Sequence, residues 1–368
     1  FWRNLLRGVT GVGQIAGIDV GGLDCRMACE VRTPLPGAPA PPGPRAGRST
    51  ALMAAAVAEA LRQSGLRAEA ETVGLAIGAT MGEIAGLEQR LLTGDDTAAV
   101  DPAQITGAIA ERFGIKGRAW TLTNACAAGN YAIARAFEDL RAGRAAAMVA
   151  GGVDVLSWVA FVGFHSLRAM APTCCRPFDR SREGIILGEG AGALVLETEE
   201  HAVARRATIL AEVLGYGLSC DAAHPTQPDP DGMARAMRHA LAHAGLSPEE
   251  VDYVSAHGTG TPSNDLAEAR AMYLVFGDRA PSVPISSIKA QIGHTLGAAS
   301  AIEAVACTRI LQEGVLPATM NLEQLDPECR LDVVPNEPRS ARVRYVLSNA
   351  YAFGGNNSSL VLGAWPRA

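Results

Sequence analysis

The sequence predicts an α/β protein built from two similar halves. Three observations carry this. Strand-like and helix-like segments alternate along the chain. After residue 207 the same order of elements starts again. Composition fits as well: 40 glycines and 5% aromatic residues suit helices packed closely on sheets. The 368 residues, 48% hydrophobic and 19% charged, are ample for a large core. The halves are set at residues 1–207 and 208–368.

The chain opens on Phe1-Trp2-Arg3-Asn4-Leu5-Leu6, a helical fragment with no N-cap before it. Residues 11–32 read as a loop with a weak strand. Residues 33–48, rich in Pro and Gly, read as an exposed loop. An alanine-rich helix follows over 49–64, stopped by Gly65, and then a strand over 71–78. Helices are expected over 83–93 and 101–113. A short strand over 118–123 leads into the stretch around Cys126, and a helix runs from there to Gly143. Residues 145–153 are a strand. Residues 155–182 read as one long irregular segment of the kind that lines enzyme sites. Residues 184–197 read as a strand pair. Their glycines lack the strand, glycine turn and helix order of a dinucleotide site, because apolar strand residues follow them. In the second half, strands are expected at 209–214, 251–256, 283–287, 345–350 and 358–362. Helices are expected at 231–244, 264–276 and 298–313, with a turn at 257–262 and a loop at 289–294.

Charge and composition exclude several function classes. A net charge of −6 and a pI of about 5.7 do not favour nucleic acid or an anionic membrane. The sequence has no run of 18 apolar residues and no signal-peptide pattern at its start. Eight scattered cysteines in a chain of this size predict reduced thiols and a cytoplasmic location. Cys25 and Cys29, and the adjacent Cys174 and Cys175, lack neighbours at zinc-binding spacing. His239 and His243 share a helix face without an accompanying glutamate. No metal site is expected.

Three places carry candidate chemistry. Cys126 lies between a strand and a buried helix, near free backbone N–H groups and the positive end of the helix dipole. Both favour a thiolate, so Cys126 is a candidate nucleophile. The alternative is a small core residue. His257 follows an apolar strand and opens the turn His257-Gly258-Thr259-Gly260-Thr261-Pro262. His294 lies in Gly293-His294-Thr295-Leu296-Gly297-Ala298, ahead of a small-residue helix. Such positions converge on the C-terminal edge of an α/β sheet. The alternative for each is a hydrogen-bonded core imidazole. Finally, Phe353-Gly354-Gly355-Asn356-Asn357 sets a glycine pair between two strands, where backbone N–H groups can face a ligand.

Taken together, Asn124-Ala125-Cys126-Ala127-Ala128-Gly129, the His257 turn, the Lys289-x4-His294 loop and Phe353-Gly354-Gly355-Asn356-Asn357 resemble, in order and spacing, the elongating β-ketoacyl-acyl-carrier-protein synthases. The resemblance spans essentially the whole chain. It implies a thiolase-like fold, two similar α/β halves in five α-β-α-β-α layers. It also implies an acyltransferase: Cys126 takes an acyl group as a thioester, malonyl-carrier protein loses CO2, and the carbanion extends the chain by two carbons. His257 and His294 would donate hydrogen bonds to the malonyl thioester oxygen. Lys289, paired with Glu303, would set the electrostatics. The backbone N–H groups of Cys126 and Phe353 would form the oxyanion hole, with Gly354 supporting the turn. Phe353 would also be the gatekeeper, and Thr259 and Thr261 would contact the pantetheine arm. No diffusible cofactor is implied. The partners implied are an acyl carrier protein and a second copy, or a chain-length-factor-like subunit in a heterodimer.

Three departures from the family pattern stand out. The family begins with a strand, placed in the middle of the first sheet, that precedes the Phe-Trp helix; the chain lacks it, which predicts omitted residues and a gap in the core. Asn356 occupies a position that is usually Thr. The 33–48 loop is short and proline-rich. Competing functions are weighed as follows. A chain-length factor would lack Cys126. A thiolase would need a second cysteine in a C-terminal Cys-Gly-Gly-type motif, and Phe353-Gly354-Gly355 has none. A non-catalytic carrier-protein-binding module would not need the three polar groups together. The pathway, fatty acid or polyketide, and the acyl length are not encoded in any motif. Arg176, Arg180 and Arg182 are weak docking candidates, with a solvated loop the simpler explanation.

Overall fold

A computed structural model describes residues 1–32, 47–69, 72–94 and 101–365. In chain order the strands are β1 (Val12–Gln14), β2 (Met27–Cys29), β3 (Val73–Gly78), β4 (Ala119–Leu122), β5 (Ala147–Asp154), β6 (Leu187–Gly188), β7 (Gly190–Glu197), β8 (Glu212–Cys220), β9 (Tyr253–Ser255) and β10 (Pro284–Ser286). They continue with β11 (Val315–Leu316), β12 (Asp332–Val333), β13 (Arg339–Ser340), β14 (Tyr345–Ala352) and β15 (Asn356–Gly363). The helices are α1 (Trp2–Leu6), α2 (Arg48–Ser64), α3 (Ile84–Thr93), α4 (Pro102–Phe113), α5 (Ala128–Arg141), α6 (Trp158–Ser166), α7 (Glu199–Ala204), α8 (Pro230–Ala244), α9 (Pro262–Phe276), α10 (Lys289–Ile292) and α11 (Ala299–Glu313).

Two sheets carry the fold. The first runs β4-β3-β5-β7, and the second runs β12-β10-β9-β14-β15-β8. In each, parallel strands give way to antiparallel pairing, β5 with β7 in the first sheet and β14 with β15, then β15 with β8, in the second. Helices α5 and α11 lie between the sheets. Helices α2 and α4 cover the outer face of the first sheet, and α8 and α9 cover that of the second. This is the expected five-layered α-β-α-β-α order.

The core follows the layers. Val57, Leu75, Ile77, Ile105 and Ile109 fill the outer layer of the first half. Met233, Met237, Val254, Met272 and Ile285 fill that of the second. Ile133, Met148, Cys307, Ile310 and Val346 fill the centre. Burying each large aliphatic side chain contributes roughly 1.5–3 kcal/mol. The small residues have a specific task at the centre. A Cβ on Gly129 of α5 would stand 2.7 Å from the backbone nitrogen of Ala301 on α11. The Asn130 amide donates to Ser300 Oγ across the same contact at 2.9 Å.

Several elements differ from the sequence-based expectation. The 155–182 segment contains α6, whose cap Ser157 accepts a hydrogen bond from the Ala160 amide. Its sequence, Trp-Val-Ala-Phe-Val-Gly-Phe-His-Ser, has no polar face, so periodicity gave no helix signal. The expected loop at 289–294 begins with α10. The 184–197 strand pair is two strands of different sheets, since β6 pairs with β2 and β7 with β5. The strand expected at 209–214 lies later, at β8. Residues 11–32 form two paired strands rather than one. Of the 33–48 loop, residues 33–46 lie outside the described residues.

No gap opens inside the first sheet, whose four strands pair continuously. The difference between the halves is at an edge. In the second sheet β8 pairs with the outer side of β15. In the first, the outer side of β7 has no partner strand among the described residues. A cavity of about 610 Å3 lies there, lined by residues that include Leu194, Leu196 and Val213.

Candidate active site

Cys126 sits in a single 3-10 turn, Ala125–Ala127, between β4 and α5. The residue before it, Ala125, has φ of 47°, a left-handed conformation that costs a non-glycine residue roughly 1 kcal/mol. The second half repeats the device. Leu296 has φ of 50° and opens the 3-10 turn before α11. These two strained turns pack against one another at the centre of the molecule. They set Cys126 beside the segment that carries His294.

Cys126, His257, His294, Thr259, Thr261 and Phe353 line one cavity, together with Phe164 and Tyr351. The imidazoles of His257 and His294 lie edge to face, with centroids 5.3 Å apart and planes at 82°. Both rings are buried. Nδ1 of each has no hydrogen-bond partner among the described residues. Burial, reinforced by the Lys289 charge, pushes both well below the ordinary imidazole value, so both are neutral at pH 7.

Lys289 and Glu303 do not line the cavity. They form an ion pair behind His257, each 1% exposed. Lys289 Nζ also donates to the His257 carbonyl oxygen at 2.6 Å. Burial pushes the Glu303 carboxyl up to about 7, against the opposing pull of Lys289. The histidine backbones are fixed as firmly. The His294 amide donates to the Ile186 carbonyl at 2.7 Å, and its carbonyl accepts from the Gly188 amide at 3.0 Å.

The Cys126 thiol departs from expectation. The dipole and N–H argument favoured a thiolate. Burial instead pushes the thiol up to about 12, and the nearby Lys289 charge only partly offsets this. Desolvation outweighs the helix end because Cys126 is 6% exposed.

The Phe353–Gly355 turn joins β14 to β15. Gly354 and Gly355 take φ of 80° and 76°, a geometry that requires glycine. The Gly354 amide donates to the Pro225 carbonyl at 2.7 Å, so Gly354 holds the turn rather than offering its N–H to the cavity. The Phe353 ring is 39% exposed and stacks on Phe164. Thr259 and Thr261 hydroxyls share a 3.0 Å hydrogen bond, and Thr261 Oγ1 also caps α9.

Sequence reasoning missed three buried carboxylates that hold the site's loops. Glu268 accepts from the His257 amide at 2.9 Å and the Gly258 amide at 2.8 Å. Asp265 accepts from the amides of Phe178 and Gly260. Asp154 accepts from the amides of Thr80, Met81 and Gly297, tying the end of β5 to the segment after His294. The available signal was acidic residues among the small and apolar residues of one helix, at Asp265 and Glu268 beside Ala267, Ala269, Ala271 and Met272. Of the arginines weighed for docking, Arg182 is buried against Asp326 and Asp265, Arg176 pairs with Glu323, and Arg180 is exposed. No group of three or more metal-ligating side chains occurs among the described residues.

An α/β protein of two similar halves, with a strained cysteine turn facing two neutral imidazoles, belongs to the thiolase-like class. Within that class the chain belongs to the β-ketoacyl synthase family. The family's N-terminal domain matches residues 1–202, and its C-terminal domain matches residues 210–323. Among relatives, nodulation protein E of Rhizobium meliloti is 45% identical over 326 residues, 85% of this chain and 81% of that protein. The 3-oxoacyl-[acyl-carrier-protein] synthase 2 of Coxiella burnetii is 38% identical over 388 residues, 98% of this chain and 93% of that protein. Among solved structures, the ishigamide ketosynthase/chain length factor matches with a TM-score of 0.93 and 40% identity, over 99% of this chain and 94% of that one.

Proposed function

We propose that the chain is a β-ketoacyl-acyl-carrier-protein synthase that condenses malonyl-carrier protein with an acyl group held on Cys126. One observation carries this: Cys126, His257 and His294 open onto a single cavity. In the first step Cys126 Sγ attacks the incoming thioester carbonyl. The carrier's sulfur leaves and takes the thiol proton, so acyl transfer is neutral overall. The raised pKa makes this proton's departure part of the reaction with bound substrate. The backbone N–H groups of Cys126 and Phe353 serve as the oxyanion hole.

In the second step the malonyl carboxylate leaves as CO2. Its electron pair moves to the α-carbon, and charge builds on the thioester oxygen. The N–H groups of His257 and His294 stabilise that oxygen. Because both rings are neutral, they donate hydrogen bonds without quenching the carbanion. The carbanion attacks the Cys126 thioester, the carbon–sulfur bond breaks, and sulfur regains a proton. Lys289 and Glu303 act from behind, fixing the His257 carbonyl. Thr259 and Thr261 meet the pantetheine arm, and Phe353 gates the passage. No diffusible cofactor is needed. The carrier protein is the partner, in a cytoplasmic homodimer. No described helix is long and apolar enough to cross a membrane.

A second function has one observation in its favour, the match to the ishigamide ketosynthase/chain length factor. There the chain would be the catalytic subunit of a heterodimer. A thiolase is disfavoured because the Phe353-Gly354-Gly355 motif carries no cysteine of its own. The test is intact mass after incubation with a ladder of acyl-carrier-protein thioesters. One acyl group should add to the native protein and none to Cys126→Ala. No gain with any donor, in folded and reduced protein, would overturn a self-sufficient synthase. Gain only with a co-purified partner subunit would establish the heterodimer.

A further inference from the structure

Two adjacent thiols, Cys174 and Cys175, lie in the loop between α6 and β6, and both are free. Their surroundings differ. Cys175 is buried, and its Sγ donates to the Thr259 carbonyl at 3.1 Å. Its own carbonyl accepts from Asn321 Nδ2 at 2.9 Å. A Cβ on Gly260 would stand 2.9 Å from Cys175 Sγ, so the His257–Pro262 turn rests directly on this sulfur. Thr259 and Thr261 of that turn line the cavity that holds Cys126. Cys174 is only half-buried, and the Arg176 guanidinium interacts with its sulfur electrostatically. A partly exposed cysteine beside a cation is the usual setting of a reactive thiol. One sulfur of the pair therefore reaches solvent, and its neighbour holds a wall of the substrate cavity.

We propose that Cys174 and Cys175 form a thiol–disulfide site, through which small-molecule disulfides alter the His257–Pro262 turn. Cys174 Sγ, as the thiolate, attacks one sulfur of the small disulfide. The disulfide bond breaks, one thiol leaves with the proton that Cys174 gave up, and a mixed disulfide stays on Cys174. Cys175 Sγ then loses its proton and attacks the Cys174 sulfur, and the second thiol leaves with that proton. Two protein thiols are oxidised, and one small disulfide is reduced to two thiols. The oxidised Cys175 sulfur has no hydrogen left to donate to the Thr259 carbonyl, and the turn loses that anchor. Adjacent Cα atoms lie about 3.8 Å apart, closer than a disulfide normally spans, so the bond is strained and readily reduced. The change is therefore reversible. Its effect on acyl transfer rests on the synthase function above, whereas the disulfide itself does not.

The experiment treats the full chain with oxidised glutathione and then with dithiothreitol, for wild type, Cys174→Ser and Cys175→Ser. Peptide mapping of wild type should show a Cys174–Cys175 bond, with that peptide about 2 Da lighter. Cys175→Ser should instead retain glutathione on Cys174. Single-turnover acylation of Cys126 by a carrier-protein thioester should slow about tenfold on oxidation and recover with dithiothreitol. Cys174→Ser should acylate at the reduced wild-type rate and ignore the oxidant. Unmodified thiols at both positions, a glutathione adduct that persists on Cys174 in wild type, or a bond from Cys175 to Cys29 of the same apolar cluster overturns the site. A Cys174–Cys175 bond with unchanged acylation, or slowing that persists in Cys174→Ser, overturns its action on the turn. Reduced wild type that accepts no acyl group overturns the synthase function instead, while the mapping still decides the disulfide.

Discussion

Glu303 and Lys289 stand 1% exposed in an apolar surround, so neither tolerates the loss of the other. Removing one partner of a buried pair leaves an unpaired charge and costs about 3–5 kcal/mol. Glu303→Ala should lower the denaturation midpoint accordingly, while Glu303→Gln, which keeps an acceptor for the ammonium, should cost less. The imidazoles give a second expectation. Their values lie well below 6.5, so decarboxylation of malonyl-carrier protein should show no inflection at 6.5 as pH falls from 8 to 6. A half-maximal loss near 6.5 would mean that a histidine titrates normally. At this scale the sequence was legible where turn chemistry marks a residue: His257 beside Gly258 and Gly260, and Phe353 beside its glycine pair. It was not legible where a residue acts through burial. Glu268 looks like any helix glutamate until the fold turns it inward, and the Cys126 thiol is raised by desolvation that no local pattern records.

Among the elements, α6 was the main one hidden. A helix without a polar face cannot be told from an apolar loop by periodicity, and only its capping Ser157 gave a local mark. Ser157→Ala should cost about 1 kcal/mol, read as a lower melting temperature. The α5–α11 contact sets a sharper limit. With backbone 2.7 Å from the site of an added Cβ, Gly129→Ala should destabilise by about 1–3 kcal/mol, measured by urea denaturation. A neutral result would mean the two helices separate freely. The repeated order of strands and helices was readable in the sequence. The matching strained turns at Ala125 and Leu296 were not, because neither residue type announces a left-handed backbone.

Across the molecule, folding concentrates carboxyl groups in the interior. Burial raises Asp154 to about 6 and Glu268 to about 7. A carboxyl whose folded value exceeds its unfolded one binds protons more tightly when folded. Its contribution is present in full below about 4.5 and is lost as pH rises toward 7. The stability difference between wild type and Glu268→Gln should therefore shrink between pH 4.5 and 7 in a thermal-shift series. A difference that grows over that range would show that Glu268 is ionised in the fold. The raised Cys126 value has a consequence of another kind. The thiolate, not the thiol, attacks peroxide, and burial keeps Cys126 protonated and shielded. The exposed Cys220, not Cys126, should be the first to form a sulfenic acid when the idle protein meets an oxidant. The same desolvation that makes the Cys126 sulfur sluggish then protects it through periods of oxidative stress.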